Sequence, residues 1–343
     1  DQGLVDQLAT SDDVIDTIAD FAGKDGHNYR SIAMDEYLQS LPPRYSLSDK
    51  KPQIGLLIAS GAIIDGSVQP GTINGEALAK QIRDAMYDSK IKALVLRVDS
   101  PGGSAFGAEQ IRTALLAFKA SGKPLVVSMG STAASGGYWI AADADKIYAE
   151  PSTITGSIGV FGMFLTADKA LNSLGIHTDG LGTTDFTGIS PTQPLPDHIK
   201  QIVQMNVENT YQRFLDLVAE GRGMTPEQVD KVAQGRVWVG TDAKKLGLVD
   251  ELGGLDHAAA EASKLAKLTD YQLRLLEPEL SAKDKLLREL FNQSAELLPA
   301  SVSHSVLGNL ALQWWSSANQ ALQPLNVLQD PQGIYSYCPV CQQ

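Results

Sequence analysis

Ser135 is the residue of this chain best set for nucleophilic chemistry. It stands in Ser131-Thr-Ala-Ala-Ser135-Gly-Gly-Tyr138, after a β-branched run from Leu125 to Met129 that Pro124 and Gly130 flank. That run reads as a buried strand, and the apolar stretch Tyr138 to Ala142 as a short buried helix. A serine at such a junction lies near a helix N-terminus, where unpaired N–H groups and the positive dipole end favour a developing anion. Gly136 and Gly137 carry no Cβ, so a ligand can approach the backbone closely. A serine whose side chain merely caps the helix would explain the same residues without chemistry.

A second glycine-rich turn, Asp99-Ser-Pro-Gly102-Gly103-Ser104, follows the preceding strand. Its glycines could offer backbone N–H groups to a carbonyl oxygen, as an oxyanion hole does. Taken alone, Pro-Gly-Gly also reads as an ordinary β-turn leading into a helix. Two adjacent strand ends with such turns, one bearing a serine, favour a site.

A serine hydroxyl needs an adjacent base to act as a nucleophile. Of the five histidines, His177 (in His177-Thr-Asp179) and His198 follow Ser135 and could complete a Ser-His-Asp arrangement, but no spacing rule supports either. A lysine base requires burial that depresses its pKa towards neutrality. Lys169 and Lys200 bracket a lysine-free stretch, and neither has an apolar context that would bury it. The residues offer a nucleophile without a matching base.

The elements that would hold these groups alternate between strand and helix. Strands are expected at Ile54–Ala59, Ile91–Val98, Leu125–Met129, Lys146–Ala149 and Ile158–Phe161, with helices at Gly75–Tyr87 and Ala105–Ala120. Strands separated by helices of that length imply right-handed βαβ units and a mostly parallel sheet. Ligands of such sheets sit at the carboxyl ends of the strands, where both glycine-rich turns fall. Residues 181–197 read as a Thr-, Gly- and Pro-rich loop, Ile199–Glu220 as a long helix, and Thr225-Pro-Glu-Gln228 as a capped helix start. Arg236–Gly240 reads as a short extended piece. Beyond about residue 270 the α/β pattern stops, and residues 281–325 show helical spacing with Trp314 and Trp315, a packing or oligomer face.

A formal net charge of −12 argues against general nucleic-acid binding, which needs a positive field. No apolar run approaches the roughly 18 residues of a membrane-spanning helix. Asp1 opens the chain with no Met and no signal-peptide pattern, which points to processing or to a fragment. The two cysteines, Cys338 and Cys341, cannot by themselves complete a four-ligand zinc site. A local disulfide is favoured over a half-site shared with another chain or two idle thiols. No metal or cofactor is expected.

Gly3-Leu-Val-Asp6, followed by a helical pattern from Val14 to Phe21, is echoed by Gly247-Leu-Val-Asp250 and a helical pattern from Ala258 to Leu268. Residues 1–25 therefore read as the tail of an upstream copy of the same unit, and the polar residues 26–51, with Pro42-Pro43, as a linker. Residues 52–270 form the main domain and 271–343 a helical C-terminal extension.

Four motifs together resemble the bacterial signal peptide peptidase A, or protease IV, family: Asp99–Ser104, Ser131–Tyr138, Ile154-Thr-Gly-Ser157-Ile-Gly-Val160 and Gly247–Asp250. The resemblance covers about residues 52–268. It implies a Clp-protease/crotonase-like fold of repeated β-β-α units and a Ser-Lys dyad that cleaves remnant signal peptides at the bacterial inner membrane, facing the periplasm. By position, Ser135 resembles the nucleophile, Gly103 with Gly102 and the Gly136 N–H the oxyanion donors, and Ser157 the serine that holds the lysine amine. In single-copy members the lysine lies near residues 181–190, which here contain none. In the tandem form the upstream half supplies it. The chain resembles that downstream half, so it is expected to carry half an active site and to assemble as a homo-oligomer, a tetramer by resemblance, with its upstream half as partner. Peptide would bind by main-chain pairing beside the glycine-rich turn, with small residues next to the cut.

Three rivals remain open at this point: a Ser-His-Asp peptidase using His177 or His198, a crotonase-type acyl-CoA enzyme, and a non-catalytic scaffold half.

Overall fold

The computed structural model describes residues 11–25, 28–32, 34, 37, 51–69, 71–180, 183–184, 190–276, 330–331, 333–338 and 341. The chain divides into two compact units, residues 1–48 and 49–343. In the first, helix α1 (Ser11–Ala22) contains the expected Val14–Phe21 pattern and ends at Gly23, whose φ of 85° an L side chain rarely adopts. Strands β1 (Lys24–Asp25) and β2 (Asn28–Tyr29) then pair antiparallel, so Asn28–Tyr29, within the segment read as a linker, form a strand. A two-residue strand leaves no periodicity to read. The Gly3–Asp6 echo lies outside the described residues.

The second unit opens with β3 (Gln53–Ser60), β4 (Ala62–Ile64), β5 (Thr72–Asn74) and α2 (Gly75–Tyr87). It continues with β6 (Ile91–Ser100), β7 (Gly102–Ser104) and α3 (Ala105–Ala120), then β8 (Leu125–Ala134) and α4 (Gly136–Trp139). Twice, a long strand gives way to a short one that leaves the main sheet, and a helix follows, after the extra short strand β5 in the first case. This is the repeated β-β-α unit expected. The first departure turns at Gly61, where a Cβ would lie 2.0 Å from the Gly71 carbonyl oxygen, so no other residue fits. The helices start where side chains take up their first N–H groups. Asn74 accepts from the Ala77 N–H, and Ser104 from the Gly107 N–H.

The remaining elements are β9 (Lys146–Ala149), β10 (Ile154–Gly156), β11 (Phe161–Gly162), α5 (Asp168–Ser173), α6 (Asp197–Arg222) and α7 (Pro226–Val232). After them come β12 (Val237–Val239), α8 (Gly240–Lys245), β13 (Glu251–Leu252), α9 (Leu255–Leu265), β14 (Gln272–Leu275) and β15 (Ile334–Tyr337). Thr225 and Gln228 form a reciprocal capping box at the start of α7, as their spacing predicts. The main sheet runs β12-β10-β8-β6-β3-β14, with β9 also on β8 and β13 on β9. Its pairs are parallel except β10 with β12. Both faces are covered, so the strands are apolar on both sides. Leu94, Leu96, Val98, Val127 and Met129 pack towards Ile82, Ile111, Leu115, Phe118 and Phe214 of α2, α3 and α6. Ala93, Val95 and Val126 pack towards Ala258, Ala259 and Ala262 of α9. A second, smaller sheet runs β11-β15-β7-β4-β5.

Three expectations need correction. The strand read at Ile158–Phe161 is instead two pieces, β10 before it and β11 at its end, because Ser157 (φ 49°) breaks the extended path. The α/β pattern does not stop at residue 270: β14 pairs parallel with β3, with Leu273 opposite Ile54. Residues 334–337, placed in a helical extension, are a strand of the second sheet. Both strands are four residues long, too short for a period-2 signal, and both pair with partners remote in sequence. The helix read at 281–325 lies outside the described residues. In the 181–197 loop, described residues 183–184 and 190–196 hold no helix or strand. Among the described residues, no helix is long and apolar enough to cross a membrane.

Candidate active site

Strand β8 does not end at Met129, where the apolar run stops, but continues to Ala134 and delivers Ser135. Its pairing with β6 slips on the way: Val98 lies opposite Met129, yet Ser100 lies opposite Ala133. Two residues of β6 thus match four of β8, a bulge that re-aims the strand end. Asp99 holds the slip through its carboxylate, which accepts from the Thr132 N–H at 2.9 Å. Gly130 lies against the same side chain, 2.9 Å from its carboxyl carbon to the position of a Cβ. The bulge brings the end of β8 beside the turn between β6 and β7.

Ser135 has φ 56° and ψ −117°, a strained conformation for a residue with a Cβ. Its N–H donates to the Gly156 carbonyl at 2.8 Å, and its own carbonyl accepts from the Tyr138 and Trp139 N–H groups. Its side chain makes no capping hydrogen bond to α4. The capping explanation therefore fails, and the hydroxyl is turned elsewhere. It lies 2.8 Å from the Ser336 hydroxyl, with Ser135 only 1% exposed. Either hydroxyl can donate across this pair, and Ser336 Oγ also lies 3.2 Å from the Gly159 carbonyl oxygen.

The expected glycines converge on this hydroxyl. A Cβ on Gly102 (φ 96°) would lie 2.6 Å from the Gly136 nitrogen and 3.0 Å from the Ser135 Cβ. The position of a Gly136 Cβ is 3.2 Å from the Gly103 nitrogen and 3.0 Å from the Ser336 carbonyl oxygen. A side chain at either glycine would fill the space where a carbonyl sits. Gly102 differs from the expectation in one respect. Its N–H donates to the Ser100 hydroxyl at 3.2 Å, so it is engaged.

Ser157, also expected in the site, is buried on the loop that leaves β10, next to the Gly156 that holds Ser135. Its backbone N–H donates to the Arg236 carbonyl at 2.7 Å. The candidate bases lie elsewhere. His177 is exposed, with Nδ1 2.8 Å from Asn172 Oδ1. Lys200 pairs with Asp197 at 2.8 Å on the surface, and Lys169 is exposed. His198 heads α6 beside Asp197, while the Ser135 hydroxyl meets that of Ser336. Burial lowers the pKa of Lys123, but its ammonium is taken by the carbonyls of Ala85, Met86 and Asp88, at the opposite end of β8.

The segment after Ser135 is fixed by deep packing. Trp139 is 1% exposed, packs against Phe214 in a tilted pair with ring centres 4.6 Å apart, and donates to Glu109 at 2.8 Å. Tyr138 donates its hydroxyl to the Leu248 carbonyl at 2.8 Å, which gives the Gly247–Asp250 motif a structural role. Asp250 in turn accepts from the Ile147 N–H and pairs with Arg222 at 2.9 Å. Reading the residues alone missed Ser336, whose segment carries no motif.

Cys338 and Cys341 form a disulfide, as favoured, and they pack with Ala134 one residue before Ser135. Among the described residues, no cluster of His, Cys, Asp or Glu is arranged to hold a metal ion.

Comparison with known proteins gives the following similarities. Residues 117–269 match peptidase family S49. Protease 4 of Salmonella typhi is 43% identical over 99% of this chain and 54% of its own length. Protease 4 of Haemophilus influenzae is 37% identical over 99% and 55%. A putative protease of Synechocystis is 33% identical over 62% of this chain and 76% of its own. The chain thus spans about half the length of the first two relatives. Among solved structures, a ClpP1 mutant from Listeria monocytogenes matches with a TM-score of 0.39 and 18% identity, over 59% of this chain and 93% of that one.

Proposed function

The chain belongs to peptidase family S49, and on that premise we propose that it is the serine-bearing half of a peptidase site. The observation that carries this reading is the uncapped, strained Ser135 whose hydroxyl faces a carbonyl position bounded by Gly102, Gly103 and Gly136. Ser135 Oγ attacks the scissile carbonyl, and the Gly103 and Gly136 N–H groups receive the oxyanion that develops. The general base is a lysine from the upstream half, with Ser157 positioning its amine. The exposure of Lys169, Lys200 and His177 supports a base from outside this chain.

The substrates are remnant signal peptides, bound as an extended strand along β7 with small or apolar residues at the cut. The small residues Ala133, Ala134 and Gly102 beside Ser135 are compatible with that preference. The site works at the bacterial inner membrane on its periplasmic side, in a homo-oligomer that brings both halves together.

Hydrolysis of a fluorogenic peptide with small apolar residues tests the reading. The expected result is activity when this half is joined with its upstream half, none from this half alone, and loss on Ser135→Ala. Activity of this half alone that Ser135→Ala abolishes would overturn the half-site reading, and activity that survives Ser135→Ala would overturn Ser135 as the nucleophile.

A further inference from the structure

Strand β15 lies where a peptide substrate would have to lie. It is held between β7 and β11, antiparallel to both. Ser336 is opposite Gly103, Tyr337 opposite Gly102, and Phe161 opposite Tyr335. Without it, β7 and β11 would present two open strand edges to a single gap beside Ser135, the arrangement that captures an extended peptide by main-chain pairing. The ladder phase is set by Cys338, whose N–H donates to the Pro101 carbonyl at 2.8 Å. In an antiparallel pair the hydrogen-bonded positions alternate, so Ser336 and Gly103 form the next bonded pair. The Ser336 carbonyl oxygen consequently sits among the glycines, 2.1 Å from the position of a Gly102 Cβ and 3.0 Å from that of a Gly136 Cβ. Its side chain covers the Ser135 hydroxyl.

We propose that the segment carrying Asp330 and strand β15 (Ile334–Tyr337) up to Cys338 is an intrachain strap that fills the peptide cleft as a substrate mimic, with Ser336 at the position of the residue to be cut and the Cys338–Cys341 disulfide stiffening its end. The inference rests on the peptidase reading above. Anchors at both ends set the strap apart from a passing tail. At its start, Asp330 Oδ2 accepts from the Ser104 hydroxyl at 2.7 Å and the Phe106 N–H at 3.0 Å, and Oδ1 accepts from the Ile334 N–H. In the middle, the Tyr335 ring lies 5.8 Å from that of Phe161. At its end, the disulfide packs on Ala134, and the Thr132 hydroxyl donates to the Cys341 carbonyl at 3.2 Å. A closed disulfide leaves the released tail fewer conformations, so less entropy is lost when it returns. Being part of the same chain, the strap is present at high effective concentration, and a free peptide must displace it.

Hydrogen exchange on the full chain tests the strap directly. In Cys338→Ser/Cys341→Ser the amides of residues 334–338 should exchange at least tenfold faster than in the parent, while those of β6 and β8 stay unchanged. Equal rates would overturn the proposal. A second measurement uses a labelled synthetic peptide of residues 330–341 and a chain ended at residue 329. The disulfide-closed peptide should bind at least tenfold more tightly than its reduced form, and no binding, or equal binding, would overturn the strap. Displacement by an unlabelled peptide of small apolar residues is the expected third result. A strap peptide that binds but is never displaced would sink the peptidase reading and leave the strap as occupant of the cleft.

Discussion

At the scale of single residues, the site depends on backbone conformations that few residues tolerate. Ser135, Gly102 and Gly103 all have positive φ, and each conformation is imposed by neighbours rather than chosen locally. At Gly103 (φ 154°) a Cβ would lie 2.0 Å from the Ile63 carbonyl oxygen. Gly103→Ala should cost about 1–3 kcal/mol from backbone strain, with the clash added, and should lower activity beyond the loss of folded protein. Thermal unfolding and kcat, measured together, separate the two effects. Ser135→Ala should lower stability only by the loss of its hydrogen bond to Ser336, about 1 kcal/mol, since its side chain caps no helix, while abolishing peptide hydrolysis. A large drop in stability with activity retained would contradict the assigned role.

At the scale of elements, α4 is only four residues long and contributes little by itself. What fixes it is the pair Tyr138 and Trp139, one bonded to the Leu248 carbonyl and the other clamped between Phe214 and Glu109. The support behind Leu248 is the Asp250–Arg222 pair. Burial raises the Asp250 pKa, but the hydrogen bond and charge of Arg222 outweigh it, and the net shift is downward. The folded state therefore favours the carboxylate. Its stabilisation is present above the ordinary carboxylate range and is lost as pH falls towards the lowered folded pKa. Asp250→Asn should destabilise by about 2 kcal/mol at neutral pH, less than for a fully buried pair because Asp250 is partly exposed, and the penalty should shrink in acid. Urea unfolding at neutral and acidic pH reads both. A penalty independent of pH would show that the charge is not what the pair contributes.

At the scale of the whole molecule, catalytic competence is divided, on the proposed reading, between this chain and its upstream half, and the cleft already holds a strand. The proposed strap gives a kinetic expectation. In the complete two-half protein, ending the chain at residue 329 should lower KM for a short peptide several-fold and change kcat little, because it removes a competitor and touches no reacting group. A fall in kcat alone would count against it.

How much of this was legible before folding depends on the range of each interaction. The sequence alone determined the α/β class, the parallel run of the central strands and the helices α2 and α3, because hydrophobic period and capping residues act over a few positions. It also singled out Ser135, Gly102, Gly103, Gly136 and Ser157, whose motifs are local. Tertiary structure alone decided the rest. The bulge that aims Ser135, the strands β14 and β15, and the seating of Ser336 on the Ser135 hydroxyl all come from pairing between segments distant in the chain. A four-residue strand has no period to read, and a hydroxyl gains such a partner only where two distant backbones meet.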